Sequence, residues 1–370
     1  MTLNFDNLRW DGLLRRPARR HDVAEFANLH AGKNVLVTGA GGSIGSALLR
    51  AIVDLGPRTL VLLDSSEQNL FAIHTQLSNL QGSERHVPVL GSVADQRCLD
   101  DIFERYQPEV IYHAAALKHV PLMELNPFAV VQNNVFGTYT LTATARRFGA
   151  DRLIMISTDK AVNPRSIMGA SKRMAELVLL ALADTGTRMI SIRLGNVLGS
   201  EGSVVPLFLE QIERGGPVTV TDPAVERYFM SMEETVSCIL GAAASNLTDS
   251  GICFPDMGEP IKIVDVAQYL IEQASAKDIS ITYSGLRTGD KLHEEFVADT
   301  EIMSDALLDG LHWIESPRLS ESALADGLTA LDAALGAMNL AKLLASLTRL
   351  VPEYQPSEYL LKQSATAVAT

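Results

Sequence analysis

Asp159 and Lys160 stand side by side in Ser157-Thr158-Asp159-Lys160, directly after the apolar run RLIMIS at 152–157. A carboxyl group and an amine are the pair that proton-transfer chemistry needs, and the same two groups also make an ordinary surface ion pair at a strand end. A second concentration of chemistry is Thr38-Gly39-Ala40-Gly41-Gly42-Ser43-Ile44-Gly45, with glycines at 39, 42 and 45. Residues without a Cβ permit a tight turn and a close approach of backbone to a pyrophosphate, and a helix opening there adds N–H donors and a positive dipole. Thr38, Gly39, Gly42, Ser43, Ile44 and Gly45 are therefore expected to line a dinucleotide. Nineteen residues after Gly45 stands Asp64, placed to accept hydrogen bonds from an adenosine ribose. Its charge would repel a 2′-phosphate, and Ser65, Ser66 and Glu67 supply no arginine, so NAD is expected over NADP. The plainer alternative for Asp64 is a solvated acid at a strand end.

Elements of a particular kind must position these groups. NVLVT (34–38), TLVLL (59–63), HVPVL (86–90), EVIYH (109–113), RLIMIS (152–157) and RMISIR (188–193) read as strands. Between them lie segments with apolar residues at three and four spacing, most with glycine or a polar residue at an end. This βα alternation predicts an α/β fold, a doubly wound parallel sheet of Rossmann type, with ligands off the carboxyl ends of the strands. Beyond Arg193 the pieces shorten and carry more Gly and Pro. The expected division is an N-terminal arm at 1–30, an NAD-binding domain at 31–195, a smaller, discontinuous α/β substrate-binding region at 196–300 and a helical tail at 301–370.

Composition excludes other classes. The 370 residues are 47% apolar and 20% charged, those of a globular chain, and the formal charge of −13 opposes binding to a nucleic-acid backbone. The one basic cluster, Arg9, Arg15, Arg16, Arg19 and Arg20, reads as an arm packed on the body rather than a phosphate or lipid surface. Cys98, Cys238 and Cys253 lack disulfide or metal spacing, so no metal site is expected and a reducing cytoplasm is the expected location. No apolar run approaches the length of a membrane span, and Asp6 and Asp11 in the opening segment argue against a secretory signal.

TGAGGSIG, HAAALKHVP (113–121), NNVFGT (133–138), STDK (157–160) and RLGNV (193–197) resemble the extended short-chain dehydrogenase/reductases. STDKAVNPRSIMGASKR, LKHVPLMELNP, GSVVPLF, RYFM, DMGEPIKIVDVA and LVPEY are similar to the CapD-like polysaccharide-biosynthesis family of UDP-N-acetylglucosamine 4,6-dehydratases, over residues 12–355. Many relatives carry an amino-terminal membrane region, so this chain is expected to correspond to the soluble catalytic part.

The resemblance implies a redox-neutral elimination. Hydride leaves sugar carbon 4 for NAD, water is lost across carbons 5 and 6, and the hydride returns to carbon 6. It implies Asp159 as the acid for the departing hydroxyl, kept protonated by burial, and Lys160 as the carbon-5 base, its pKa lowered by desolvation. The superfamily's Tyr-x-x-x-Lys reads here Met168-Gly169-Ala170-Ser171-Lys172. A thioether accepts no proton, so Lys172 is expected to hold the nicotinamide ribose and lend charge, while Thr158 or a water relays the carbon-4 proton to Asp159 or solvent. One active subgroup of the family shares this Met, which argues against a dead homologue and for retained configuration at carbon 5.

For the other end of the substrate, the resemblance places Asn196 at the diphosphate and Arg227 and Arg287 as its charge partners. Thr288 and Asp290 replace the family's usual Pro and Glu after Arg287. Thr219 would lie on an edge strand reading uracil, Glu294 would hold the ribose, and Lys118 and Val204 would line the sugar or phosphate. His119 is expected to be structural, and Asn134 to organise backbone beside the site. Two rivals remain open: a UDP-sugar epimerase, and a catalytically silent NAD-binding scaffold or sensor. Superfamily habit suggests a homodimer or higher homo-oligomer, although helices over 121–148 and 166–185 could equally be covered within one chain.

Overall fold

The run Asn34–Thr38 forms the central strand β1, and all five of its residues are buried, as a strand covered on both faces requires. The structure, a computed structural model, describes residues 8, 10–14, 16, 22–80, 82–183, 186–245, 250–276, 278–308 and 310–366. β2 (Thr59–Asp64), β3 (His86–Leu90), β4 (Val110–His113), β5 (Arg152–Thr158) and β6 (Arg188–Leu194) follow the expected runs to within one residue at either end. They pair in parallel in the order β3-β2-β1-β4-β5-β6. Strand order reverses between β1 and β4, which opens a crevice at their carboxyl ends.

Five helices make the crossovers: α1 (Ser43–Val53), α2 (Glu67–Ser78), α3 (Gln96–Tyr106), α4 (Gly137–Phe148) and α5 (Ile167–Leu182). Their starts are chemically marked. Ser66, Asp95 and Ser166 accept from first-turn amides of α2, α3 and α5, and α4 stops where Gly149 turns left-handed at φ 69°. α1 follows a glycine at its N-cap, Gly42, with no side chain capping its amides.

The carboxyl-terminal part differs from expectation. The substrate region contributes β7 (Gly251–Pro255) to the main sheet, parallel to β6. The segment expected to be helical from 301 first forms β8 (Ile302–Leu308) and β9 (Leu311–Glu315), antiparallel to each other, with β9 antiparallel to β7. All five β7 residues are buried, and β9 covers what would otherwise be an exposed edge. Trp313 lies so close over Gly251 that a Cβ there would sit 1.9 Å from its ring. Only then do α6 (Glu321–Gly336), α7 (Leu340–Leu350) and α8 (Glu358–Thr366) appear.

Every residue of α5 is buried. Met168, Met174 and Val178 share one apolar cluster with Leu328 and Leu331 of α6 and Leu343 and Leu347 of α7. The chain's own tail thus covers the helix that carries Met168 and Lys172. A separate small core under the substrate region gathers Val205, Phe208, Val218 and Val266 with Leu8, Leu13 and Leu14 of the arm. Arg16 pairs with Glu234 and donates to the carbonyls of Phe229 and Met257, so it packs on the body. Arg9, Arg15, Arg19 and Arg20 lie outside the described residues.

Candidate active site

At the carboxyl end of β1 the glycines of the turn are sterically required. Gly39 has φ 66°, and a Cβ on it would lie 2.6 Å from the Ala115 nitrogen. One on Gly45 would lie 2.0 Å from the Gly39 carbonyl oxygen, so α1 could not pack against the turn. Gly42 is less crowded, its nearest atom 3.3 Å away. The amides of Ser43, Ile44 and Gly45 fall in the first turn of α1, where helix geometry provides no partner for them. This cradle fits a pyrophosphate. Asp64 braces it, accepting 2.8 Å hydrogen bonds from Gly41 N and Ser66 N, and each carboxylate oxygen retains a lone pair for a ribose hydroxyl.

Two expected cofactor residues have other partners. The Thr38 hydroxyl is fully buried and bonded to His113 Nδ1 at 2.8 Å, so it locks β1 to β4. His113 Nε2 meets Thr138 Oγ1 at 3.0 Å, and burial, then the charge of Lys172, lowers its pKa to about 3, which keeps it neutral. The Ser43 hydroxyl accepts from Glu201 N at 2.9 Å, tying the glycine turn to the loop over 199–203. That loop also packs on His119: a Cβ on Gly202 would sit 2.4 Å from its ring. Burial lowers the pKa of both Lys118 and His119.

Off the end of β5, Thr158 caps a 3-10 turn over Asp159–Ala161. Asp159 is fully buried; its Oδ1 accepts from Thr158 Oγ1 at 2.9 Å and Lys160 Nζ at 2.8 Å, while Oδ2 has no hydrogen-bond partner among the described residues. Lys160 Nζ also donates to Asn196 Oδ1 at 3.3 Å and lies 3.8 Å from Glu294 Oε1. The expected lowering of the Lys160 pKa is not found. Burial, its largest influence, does act downward, but the charges of Asp159 and Glu294 and the Asp159 hydrogen bond outweigh it, and the net direction is up.

Met168 is 3% exposed, its side chain part of the apolar cluster beneath the tail. One helical turn on, Lys172 is 5% exposed, and burial lowers its pKa to about 8, with Glu176 opposing. Asn134 sits in a π-helical turn over Gln132–Phe136 that interrupts the helix leading into α4. Its side chain bonds the Leu117 N–H and carbonyl and donates to Ser171 Oγ, so it organises backbone as expected.

The residues assigned to the far end of the substrate are distributed differently. Asn196 is at Lys160. Glu294 is 6% exposed and packed among Lys160, Arg227 and Lys291 rather than apart from them. Arg227 points inward, donating to the carbonyls of Glu226, Lys291 and Leu292, with Nε 3.7 Å from Glu294. Arg287 is held by Asp290 at 2.9 Å on the rim of a groove of about 1060 Å³, and among the described residues no hydrogen bond or ion pair joins it to the Lys160 cluster. The carboxylate that replaces the family's Glu thus still holds Arg287. Thr219 lies on Val218–Val220, paired in parallel with Ile281–Tyr283, and its N–H goes to Gln211 Oε1. Val204 opens the helix Val204–Glu213, half-buried.

Three features went unread in the sequence. Lys291 Nζ reaches the Val162 carbonyl at 2.6 Å and joins the segment after Arg287 to the Asp159 turn. Glu124 is buried behind α5, bonded to Ile167 N and Ser357 Oγ. Beneath the site, Arg193 and Arg173 are buried against Glu176 and Glu301. The dyad of Arg with Glu inside α5 was the available signal for the last, since charges inside an otherwise apolar helix demand partners.

The Rossmann-type doubly wound sheet of the short-chain dehydrogenase/reductases is the class that this fold and its glycine turn define. Residues 35–315 match the family described as polysaccharide biosynthesis protein, and the chain belongs to it. It is 43% identical over 305 residues to the capsular polysaccharide biosynthesis protein CapD of Staphylococcus aureus, covering 81% of this chain and 51% of that one. The chain therefore spans about half the length of that relative. It is 30% identical over 276 residues to a UDP-N-acetylglucosamine 4,6-dehydratase (inverting) of Campylobacter jejuni, covering 73% and 79%. It is 31% identical over 278 residues to a UDP-glucose 4-epimerase of Rickettsia rickettsii, with the same coverage. The X-ray structure of Pen from Bacillus thuringiensis superposes with a TM-score of 0.71 at 27% identity, over 78% of this chain and 91% of that one. No described helix is long and apolar enough to cross a membrane.

Proposed function

We propose that the chain is an NAD-dependent UDP-N-acetylglucosamine 4,6-dehydratase, with residues 31–195 holding NAD and 196–300 the UDP-sugar. The observation that carries this reading is the Asp159–Lys160 pair, the carboxyl buried and the amine partly exposed, joined by a 2.8 Å hydrogen bond at the carboxyl edge of the sheet. Gly39, Gly42, Gly45 and Asp64 would hold NAD, whose chemistry there would be to accept a hydride from carbon 4 and give it back at carbon 6.

The protein's share is proton management. Before elimination Lys160 gives its proton to solvent and Asp159 receives the carbon-4 hydroxyl proton as the hydride leaves, so the pair becomes an amine and a carboxylic acid, the two forms that elimination needs. A sugar covering the pair excludes water and favours the neutral forms. The Lys160 amine takes the carbon-5 proton, which the adjacent ketone acidifies, and Asp159 gives its proton to the carbon-6 hydroxyl, which leaves as water. Lys160 then returns a proton to carbon 5. Thr158, bonded to Asp159 Oδ1, is the route by which the carbon-4 hydroxyl proton replenishes Asp159. Met168 takes no part in proton transfer, and Lys172 holds the nicotinamide ribose.

Supply of UDP-N-acetylglucosamine and NAD to purified protein tests the reading: a product lighter by one water supports it. The rival is an epimerase, favoured by the Rickettsia relative. It would change the sugar without changing its mass, and a scaffold would change neither.

A further inference from the structure

Elimination by this pair has an electrostatic difficulty. Once Asp159 has become the neutral acid, Lys160 has lost the counter-ion 2.8 Å away, yet it must go on to accept a proton and carry a positive charge in a half-buried place that the sugar covers. Asn196 Oδ1 contacts Nζ but brings no charge. Among the described residues one other carboxylate forms an ion pair with Lys160: Glu294, with Oε1 3.8 Å from Nζ. Its second oxygen, buried and without a hydrogen bond among the described residues, lies 3.5 Å from Lys291 Nζ.

We propose that Glu294 is a positioning residue for Lys160, the carboxylate that holds its ammonium while Asp159 is neutral. This rests on Lys160 and Asp159 being the base and acid. In the step concerned, the Lys160 lone pair forms an N–H bond to the carbon-5 proton, the C–H electron pair passes to the sugar as enolate, and Glu294 stays ionised throughout. The charged groups around it fit that role. Asp159 comes from the turn after β5, Arg227 from the short strand Glu226–Arg227, and Lys291 from Glu294's own segment. Arg227 is anchored to three carbonyls and stays charged, and Lys291 is anchored to the Val162 carbonyl. Burial raises the Glu294 pKa above its ordinary value, with Asp159 adding to the rise and Lys160, Arg227 and Lys291 opposing it; the two anchored cations hold the carboxylate in place, and its Oε1 remains for Lys160.

The test follows solvent deuterium incorporation at carbon 5 of UDP-N-acetylglucosamine by NMR, against pH, in the NAD-loaded protein. In the wild type the rate should rise with pH as Lys160 loses its proton. Glu294→Gln removes one negative charge beside Lys160, so that rise should move about one pH unit lower, with a plateau reduced about tenfold or more because the amine is a weaker base. Glu294→Asp keeps the charge and should keep the wild-type midpoint, which guards against a variant that is merely misfolded. A Glu294→Gln midpoint equal to wild type overturns the inference, as does a shift equal to it in Glu294→Asp. Lys160→Met separates the two levels of argument: exchange surviving in that variant overturns the acid and base assignment itself, and this inference with it.

Discussion

The carboxylate of Glu124 accepts a 2.7 Å hydrogen bond from the backbone N–H of Ile167, the first residue of α5. Its other oxygen accepts from Ser357, ahead of α8, and a Cβ on Gly289 would lie 3.5 Å from its Cδ. One buried side chain therefore joins the helix carrying Met168 and Lys172 to the tail and to the loop after Arg287. Ile167 N is an orphan donor of a helix start, so its partner matters. Glu124→Ala should destabilise the fold by about 1–3 kcal/mol, read as a lower denaturant midpoint with an unchanged slope.

The buried ion pairs beneath the site predict an acid limit to stability. Burial pushes the Glu176 carboxyl up, but Arg193, with Arg173 and Ser157, overcomes it and holds the pKa near about 2. A carboxyl depressed on folding contributes stability that is present above its unfolded value of 4.5 and is lost as pH falls toward the folded value. Stability should therefore decline between about pH 4.5 and pH 2. Glu176→Gln leaves Arg193 enclosed with less compensation and should cost about 3–5 kcal/mol at neutral pH, by denaturant titration.

In the glycine cradle, two substitutions of the same kind should differ. Gly45→Ala places a Cβ within 2.0 Å of a backbone carbonyl and should abolish NAD binding and lower the melting temperature. Gly42→Ala meets its nearest atom at 3.3 Å and should keep the fold, weakening NAD binding where the pyrophosphate approaches. Calorimetric titration with NAD beside thermal melts distinguishes them.

The six strands of the parallel sheet were legible because strands buried on both faces are continuous apolar runs, and caps such as Ser66, Asp95 and Gly149 mark where helices begin and end. The strands β8 and β9 were not. Ile302 and Met303 are exposed on an edge strand, so burial leaves little alternation there to read. The glycine turn, Asp64 and the Asp159–Lys160 pair are local in sequence and were found as motifs. Glu294 and Asn196 meet Lys160, and Lys291 meets the turn that carries it, only through tertiary pairing, which no local spacing reports; the Lys160 pKa goes up because the adjacent Asp159, and then Glu294, outweigh the burial that the sequence suggested would decide it.

Met168 offers a test of the proton route. Met168→Tyr inserts a phenol four residues before Lys172, at a position that is 3% exposed. If Thr158 and Asp159 carry the carbon-4 proton, turnover should not rise, and overpacking should cost about 1–3 kcal/mol of stability. A rise of orders of magnitude in turnover would show that the relay is not needed.

The central claim is that Asp159 and Lys160 perform an elimination. Purified protein, UDP-N-acetylglucosamine and deuterated water, followed by proton NMR, address it most directly. The account predicts a 4-keto-6-deoxy product with deuterium at carbon 5, and a loss of about 10²–10⁴ in rate in Asp159→Asn and in Lys160→Met with NAD binding retained. An altered sugar that keeps its carbon-6 hydroxyl and its carbon-5 proton, or undiminished dehydration in both variants, would contradict it.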